Sequence, residues 1–132
     1  GRAAERVDGV PHSIWELVLH LAVWARYAAY RFEGGVPREL DEANWPPVLD
    51  AGEISWAAAR DDAFDACERA ARALAALSDS VLDAVDTNTP MDAMGEPVTH
   101  RRVAFGLSQH VAYHAGQIAL VKQLIAHGGA PA

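Results

Sequence analysis

The sequence contains a single cysteine, Cys67, among its 132 residues. One cysteine excludes an internal disulfide framework, and no zinc site built from spaced cysteines is present. We therefore expect a protein of a reducing, cytoplasmic setting whose fold depends on its hydrophobic core. Cys67 itself is interpreted as a small core residue, because no group at neighbouring helical positions would stabilise a reactive thiolate.

The sequence also lacks long apolar runs and an excess of positive charge. No stretch approaches the roughly 18 to 20 apolar residues of a membrane span, and no signal-peptide pattern is visible. Lysine and arginine number 11 against 18 aspartate and glutamate, which gives a formal net charge of −7. We therefore predict neither a nucleic-acid partner nor a membrane partner.

What the sequence does contain is an abundance of apolar residues that favour helices. Hydrophobic residues make up 51% of the chain, and alanine is frequent among them. The length suits one domain that can bury a core of useful size. We predict a single all-α domain over residues 1–132.

Capping and stop signals divide the chain into three long helices. Ser13 and Glu16 have the Ser-x-x-Glu spacing of a capping box, and Gly34 supplies a stop signal for the first helix. Residues 1–12, 36–52 and 86–98 are predicted to be connectors, since proline, glycine and polar residues interrupt any period there. The predicted elements are a helix from Ile14 to Glu33, one from Glu53 or Ser55 to Leu77, a short turn ending at Val85, and a helix after Thr99 reaching Ala126 or His127.

Asn44 and Trp45 belong to the connector over residues 36–52. We interpret them as part of a loop that packs over one end of the helical bundle, since tryptophan buries much apolar area wherever it lies. The alternative is a functional one, in which this segment forms a lid or a wall for a substrate.

The last predicted helix carries His110 and His114, whose spacing of four places both imidazoles on one face. That face belongs to a seam with steps of three and four, which is typical of a surface packed against other helices. Burying an unpartnered polar group costs roughly 1–3 kcal/mol, so these histidines need compensation. Either a shared metal ion or ordinary hydrogen bonds would provide it. The seam comprises Val103, Leu107, His110, His114, Gln117, Val121 and Leu124.

The first helix has a similar seam, in which His20 lies between Leu17 and Trp24. An antiparallel neighbour would bring His20 to the histidine pair of the last helix. Three neutral imidazoles suit Zn²⁺, Ni²⁺ or Fe²⁺, and three protein ligands leave a coordination position open, as catalytic metal sites do. The candidate metal ligands are His20, His110 and His114, and no protein nucleophile is predicted. The remaining histidines are expected to be exposed at helix ends: His12, His100 and His127.

Three further residues are candidates for supporting roles around these ligands. Glu16 precedes His20 by one helical turn and could act as a fourth ligand or a general base, although the capping box already accounts for it. Gln117 and Tyr113 could orient the imidazoles or a bound ligand. For Tyr113, packing against another helix is the alternative.

Two segments together carry a family resemblance. Residues 13–21, Ser-Ile-Trp-Glu-Leu-Val-Leu-His-Leu, and residues 110–118, His-Val-Ala-Tyr-His-Ala-Gly-Gln-Ile, resemble the DinB-like family of bacterial four-helix metalloproteins. The order and spacing of the elements agree with that family from about residue 9 to 127. The resemblance implies an up-down-type helical bundle with a three-histidine metal site at His20, His110 and His114.

One feature departs from the family pattern. The family's first helix precedes the helix with the first histidine, whereas this chain has only a connector there. Three helices alone would expose a large apolar groove, which a monomer rarely tolerates. We therefore expect either a missing N-terminal helix or a second subunit that covers the groove. The second case makes the protein a homodimer.

The resemblance also implies a class of reaction. Characterised family members resemble thiol-dependent transferases or isomerases that use bacillithiol, mycothiol or glutathione. It thus implies a divalent-metal-dependent enzyme that joins such a thiol to a small electrophilic molecule. Two alternatives stay open: a hydrolase with a metal-bound water as nucleophile, and a non-catalytic metal- or ligand-binding protein of a stress response.

Overall fold

The computed structural model describes residues 2–35, 44–87, 91–92 and 94–128. Within these residues the chain is all-α, with three long helices, which confirms the predicted fold class. None of the described helices is long and apolar enough to cross a membrane. After a 3₁₀ turn at Arg2–Ala4, the helices are α1 (Ile14–Phe32), α2 (Glu53–Ala75), α3 (Asp79–Leu82) and α4 (His100–Ala126).

The boundaries of the long helices lie within two residues of the predicted ones. The Ser13 hydroxyl accepts a hydrogen bond from the backbone N–H of Glu16 at 3.3 Å, and the Glu16 carboxylate accepts one from the backbone N–H of Ser13 at 2.8 Å. Gly34 follows α1 with a φ of 78°, which only glycine adopts at no steric cost. Parts of the two predicted connectors, residues 36–43, 88–90 and 93, lie outside the described residues.

Helix α1 occupies the centre of the bundle, and both α2 and α4 pack against it. Its alanines allow the neighbouring helices to approach closely, because they are almost completely buried and add little bulk. Trp15 and Leu17 fill the remaining space near its N-terminus. The buried alanines of α1 are Ala22, Ala25, Ala28 and Ala29.

Helices α1 and α2 run in the same direction. The Trp15 and Trp56 rings lie 5.3 Å apart near the start of both helices, and Arg69 binds Glu33 near their ends at 2.9 Å. The connector between the helices therefore has to lead back to the level of the start of α1 before α2 begins. Within it, Asn44 lies beside His20 and Trp24 of α1, and Trp45 lies beside His20.

Helix α4 runs antiparallel to α1, as the sequence predicted. The Phe32 and His100 rings lie 6.3 Å apart at one end of the pair, and the His20 and His114 rings lie 4.8 Å apart towards the other. The direct up-down alternation of this bundle is thus found between α1 and α4, and not between α1 and α2.

Helices α2 and α4 make few contacts with each other in the described part of the chain. A cavity of about 430 Å³ lies between them, with apolar side chains such as Leu74 and Val111 along its walls. Cys67 also lines it and is only partly buried, so it is not the core residue that the sequence predicted; burial raises the pKa of its thiol. The homodimer inferred from such an apolar groove stays a prediction.

The inward face of α4 differs from the predicted one by about one residue. Ile125 is buried whereas Leu124, the predicted seam residue, is 36% exposed. A straight helix drifts by about 20° per heptad from a strict 3.5-residue repeat, so a seam counted in steps of three and four leaves the buried face after a few turns.

Candidate metal centre

Helices α1 and α4 bring the three predicted histidines to one point. Each of His20, His110 and His114 offers a ring nitrogen, and these nitrogens lie within 4.8 Å of one another. Nε2 of His20 and Nε2 of His110 are 3.0 Å apart. Two nitrogens that each lie about 2.0–2.1 Å from one metal ion are separated by about 3 Å, so the spacing fits a shared ion.

The outer nitrogens of two of these rings are held by hydrogen bonds. Nδ1 of His20 donates to the backbone carbonyl of Asn44 at 2.6 Å, and Nδ1 of His114 donates to Oε1 of Gln117 at 2.6 Å. Gln117 in turn donates from Nε2 to the Tyr113 hydroxyl at 3.1 Å, which fixes the direction of its amide. In both histidines Nε2 therefore carries the lone pair that a metal ion needs.

The environment also favours the neutral form of two of the imidazoles. Burial, followed by the charges of the nearby His114 and His20, lowers the pKa of His110 to about 4. Burial likewise lowers the pKa of His20, although the Asn44 carbonyl acts in the opposite direction. Because a metal ion binds only deprotonated ligands, these rings are prepared for coordination at neutral pH.

Trp45 covers one face of the centre. Its ring is parallel to that of His20, with 3.8 Å between the centroids, and the His12 ring stacks on its other side at 3.7 Å. The structure thus places Trp45 against the histidines, where the sequence favoured packing over an end of the bundle. His12, expected to be exposed, is half-buried in this three-ring stack.

Asn44 connects the centre to the aromatic wall beside it. Its side-chain Oδ1 accepts a hydrogen bond from Nε1 of Trp24 at 2.9 Å, while its backbone carbonyl accepts from His20. Trp24 also lies beside His110, with 4.9 Å between ring centroids. Sequence reasoning missed this role of Asn44, because the backbone carbonyl that holds His20 leaves no trace in residue type.

The family assignment follows from the sequence as a whole. The family model for the DinB superfamily matches residues 3–118, which include all three histidines. The chain belongs to the DinB superfamily. No curated protein and no solved structure matches the chain. The superfamily and the histidine geometry together fit a metal-binding DinB-like protein.

Glu16, a candidate fourth ligand, does not join the histidine group of this DinB-like bundle. Its carboxylate accepts hydrogen bonds from the backbone N–H and the hydroxyl of Ser13, and it forms an ion pair with Arg6. These contacts hold Glu16 in the capping box. Gln117 and Tyr113, in contrast, lie beside His114 in the orienting positions that the sequence analysis considered.

A cavity adjoins the metal centre between α1 and α4. Its volume is about 250 Å³, and His110 and Trp24 line it on the side of the histidines. From Trp24 it follows α1 to Arg31, a distance of about 10 Å at 1.5 Å per helical residue. The DinB-like chain therefore places a small-molecule-sized space beside the candidate metal ligands.

Proposed function

We propose that this DinB superfamily protein is a divalent-metal-dependent enzyme that joins a low-molecular-weight thiol to a small electrophilic molecule. The reaction would be an S-transfer, or an isomerisation in which the thiol adds and later leaves. The observation that carries the proposal is the group of three imidazole nitrogens within 4.8 Å, next to a cavity.

The donor set suits a particular class of cation. His20, His110 and His114 would hold the ion, and neutral imidazoles favour Zn²⁺, Ni²⁺ or Fe²⁺ over Mg²⁺ and Ca²⁺. A bound divalent ion supplies a Lewis acid that lowers the pKa of a thiol and stabilises its anion. Mycothiol and bacillithiol are the thiols that we propose as co-substrates.

The protein's own residues position the reactants. Asn44 and Gln117 fix two of the imidazoles in the tautomer that presents Nε2, so that little reorganisation is needed at the site. Trp45 shields one face of His20 from water, and Trp24 forms an apolar wall beside His110. The cavity along α1 and α4 gives the electrophile a place next to His110.

The hydrolase alternative has less support. A hydrolase needs a base near the ion to take a proton from the attacking water. Within the described residues, the metal-binding group consists of histidines, and the predicted base Glu16 is engaged by Ser13 and Arg6. No specific observation favours a purely metal-binding role over catalysis.

The experiment that tests the proposal compares electrophile loss with and without thiol. Protein loaded with Zn²⁺ or Ni²⁺ is incubated with a small electrophile and with mycothiol, bacillithiol or glutathione. We expect consumption that requires both the metal and one thiol, and that is lost in His110→Ala. Consumption without thiol would favour the hydrolase, and metal binding without any turnover would favour the non-catalytic alternative.

A further inference from the structure

Two arginines line the cavity beside His110 at the end remote from the histidines. Arg31 lines it from α1, and Arg102 lines it from α4. Among the described residues that line it, none is acidic. Between the two arginines and His110, the walls are formed mainly by apolar groups, including Trp24 and Leu107.

Arg31 is buried, yet one of its guanidinium nitrogens has no hydrogen-bond acceptor among the described residues. The residue is only 6% exposed, and its Nε donates to Oδ2 of Asp86 at 2.7 Å. Nη1 donates to the Tyr27 hydroxyl at 3.3 Å. Nη2 is buried and has no hydrogen-bond acceptor within the described part of the chain. The unmatched nitrogen can donate one charge-assisted hydrogen bond to a carboxylate, and such bonds are stronger than those between neutral groups.

Tyr27 and Arg102 add further hydrogen-bond donors to the same end of the cavity. Tyr27 also lines the cavity, and since its hydroxyl oxygen accepts from Nη1, its hydrogen is available to donate elsewhere. Arg102 is exposed and pairs with Asp92, so it adds a second cation at the rim without closing the cavity. The end of the cavity near Arg31 therefore offers hydrogen-bond donors on two arginines, each paired with one aspartate, whereas the middle offers apolar contact.

We propose that this cavity binds small molecules with an apolar body and a terminal carboxylate, and that Arg31 recognises the carboxylate. The body would lie along Trp24 and Leu107, which directs its other end towards His110. One part of this inference rests on the proposed function, namely that the bound carboxylate is the electrophilic substrate. As a binding site, the cavity is defined by its own residues.

The test is a binding titration on protein freed of metal with a chelator. The probes are benzoate, phenylacetate and phenylpropanoate, each compared with its primary amide, which has nearly the same shape but no charge. Binding is followed by NMR through the indole N–H of Trp24, a residue that lines the cavity. We expect at least one carboxylate to bind about tenfold more tightly than its amide.

Two variants locate the binding. Arg31→Lys keeps a cation opposite Asp86 but removes the second nitrogen of the fork, so the preference for carboxylate over amide should disappear. Gly106→Leu places a side chain in the cavity, since a Cβ at Gly106 meets no atom within 4 Å. This variant should weaken the binding of carboxylate and amide alike by about tenfold.

The outcomes separate this proposal from the proposed function. Four results would each overturn the carboxylate site. They are equal affinity of carboxylates and amides, an unchanged preference in Arg31→Lys, unchanged binding in Gly106→Leu, and no binding of any probe at millimolar concentration. Zn²⁺ binding is measured separately on the same proteins. Carboxylate preference in a protein that binds no Zn²⁺ would support the carboxylate site and refute the metal enzyme. Zn²⁺ binding without carboxylate preference would refute the carboxylate site and leave the metal enzyme supported.

Discussion

The indole ring of Trp45 is parallel to the imidazole of His20, with 3.8 Å between centroids and 6° between planes. The preceding residue, Asn44, accepts the Nδ1–H hydrogen bond of the same histidine. Two consecutive residues of the connector between α1 and α2 therefore fix both the face and the tautomer of one candidate ligand. The connector is part of the site, although neither residue offers a ligand to the metal.

Replacing Trp45 with alanine should weaken metal binding while leaving the fold intact. The stack with His20 would be lost and water would reach the imidazole, and an aromatic pair contributes about 0.5–1.5 kcal/mol. We expect Zn²⁺ affinity to fall by up to about tenfold, measured by competition with a chromogenic chelator. Trp45→Phe is the matched control and should retain most of the affinity. Equal affinities of wild type and Trp45→Ala would show that the stack does not support the site.

Replacing Gln117 with leucine should have a larger effect. Leucine has a similar size but cannot accept the Nδ1–H bond of His114, so this ring would lose its fixed tautomer. Loss of such an outer partner typically costs about 10–100-fold in metal affinity. Tyr113→Phe removes only the hydroxyl that orients the Gln117 amide and should cost less. A larger loss in Tyr113→Phe than in Gln117→Leu would contradict this order.

The helices and the three histidines were predictable because their signals are local. The capping box of Ser13 and Glu16 and the spacing of His110 and His114 depend only on helix geometry. The position of His20 on an inward face then required one further assumption, an antiparallel neighbour, which the structure bears out for α1 and α4. Periodicity within a helix thus located all three side chains of the group.

The remaining parts of the site depend on how the connector returns along α1. Asn44 uses a backbone carbonyl, which every residue has, so its contact with His20 could not be read from the sequence. Trp45 and His12 come from different connectors and meet only in the folded chain. The cavity end at Arg31 depends likewise on Asp86, a residue 55 positions away in the chain. Contacts of this kind are set by tertiary structure, for which neither connector has a periodic signal.

Glu16 should stabilise the protein in a pH-dependent way. Burial raises the pKa of Glu16, but hydrogen bonds from Ser13 and the charge of Arg6 outweigh it and hold the pKa below its usual value. The stabilisation is therefore present above the unfolded-state pKa of about 4.3 and is lost as the pH falls through the lower folded-state pKa. Glu16→Ala should lower the free energy of unfolding by about 0.5–2 kcal/mol at neutral pH, measured with urea.

The same titration provides the control for Glu16. Glu16→Gln keeps an acceptor for the backbone N–H of Ser13 but has no proton to bind in this range. Its loss of stability on acidification should therefore be smaller than that of the wild type. Identical acid dependence of the two proteins would mean that Glu16 does not contribute to it.

Elemental analysis of protein purified without a histidine tag should find about one transition-metal ion per chain. His114→Ala should lose the ion, because two remaining imidazoles hold a divalent ion much more weakly than three. His127→Ala is the control, since His127 is exposed at the end of α4. Retention of metal in His114→Ala would show that His114 is not a required ligand. No metal in the wild type, even after addition of Zn²⁺ or Ni²⁺, would mean that the histidine group has a structural role.

The buried ion pair of Arg31 and Asp86 should be the most sensitive polar contact outside the histidine group. Both side chains are less than a tenth exposed, and their bond joins α1 to the segment that precedes α4. Arg31→Leu would leave the Asp86 carboxylate buried without this cation, and breaking such a pair costs about 3–5 kcal/mol. Arg31→Lys keeps the charge and should cost less, which makes it the appropriate variant for binding studies. A loss below about 1 kcal/mol in Arg31→Leu, measured by urea unfolding, would show that water or another donor replaces the guanidinium.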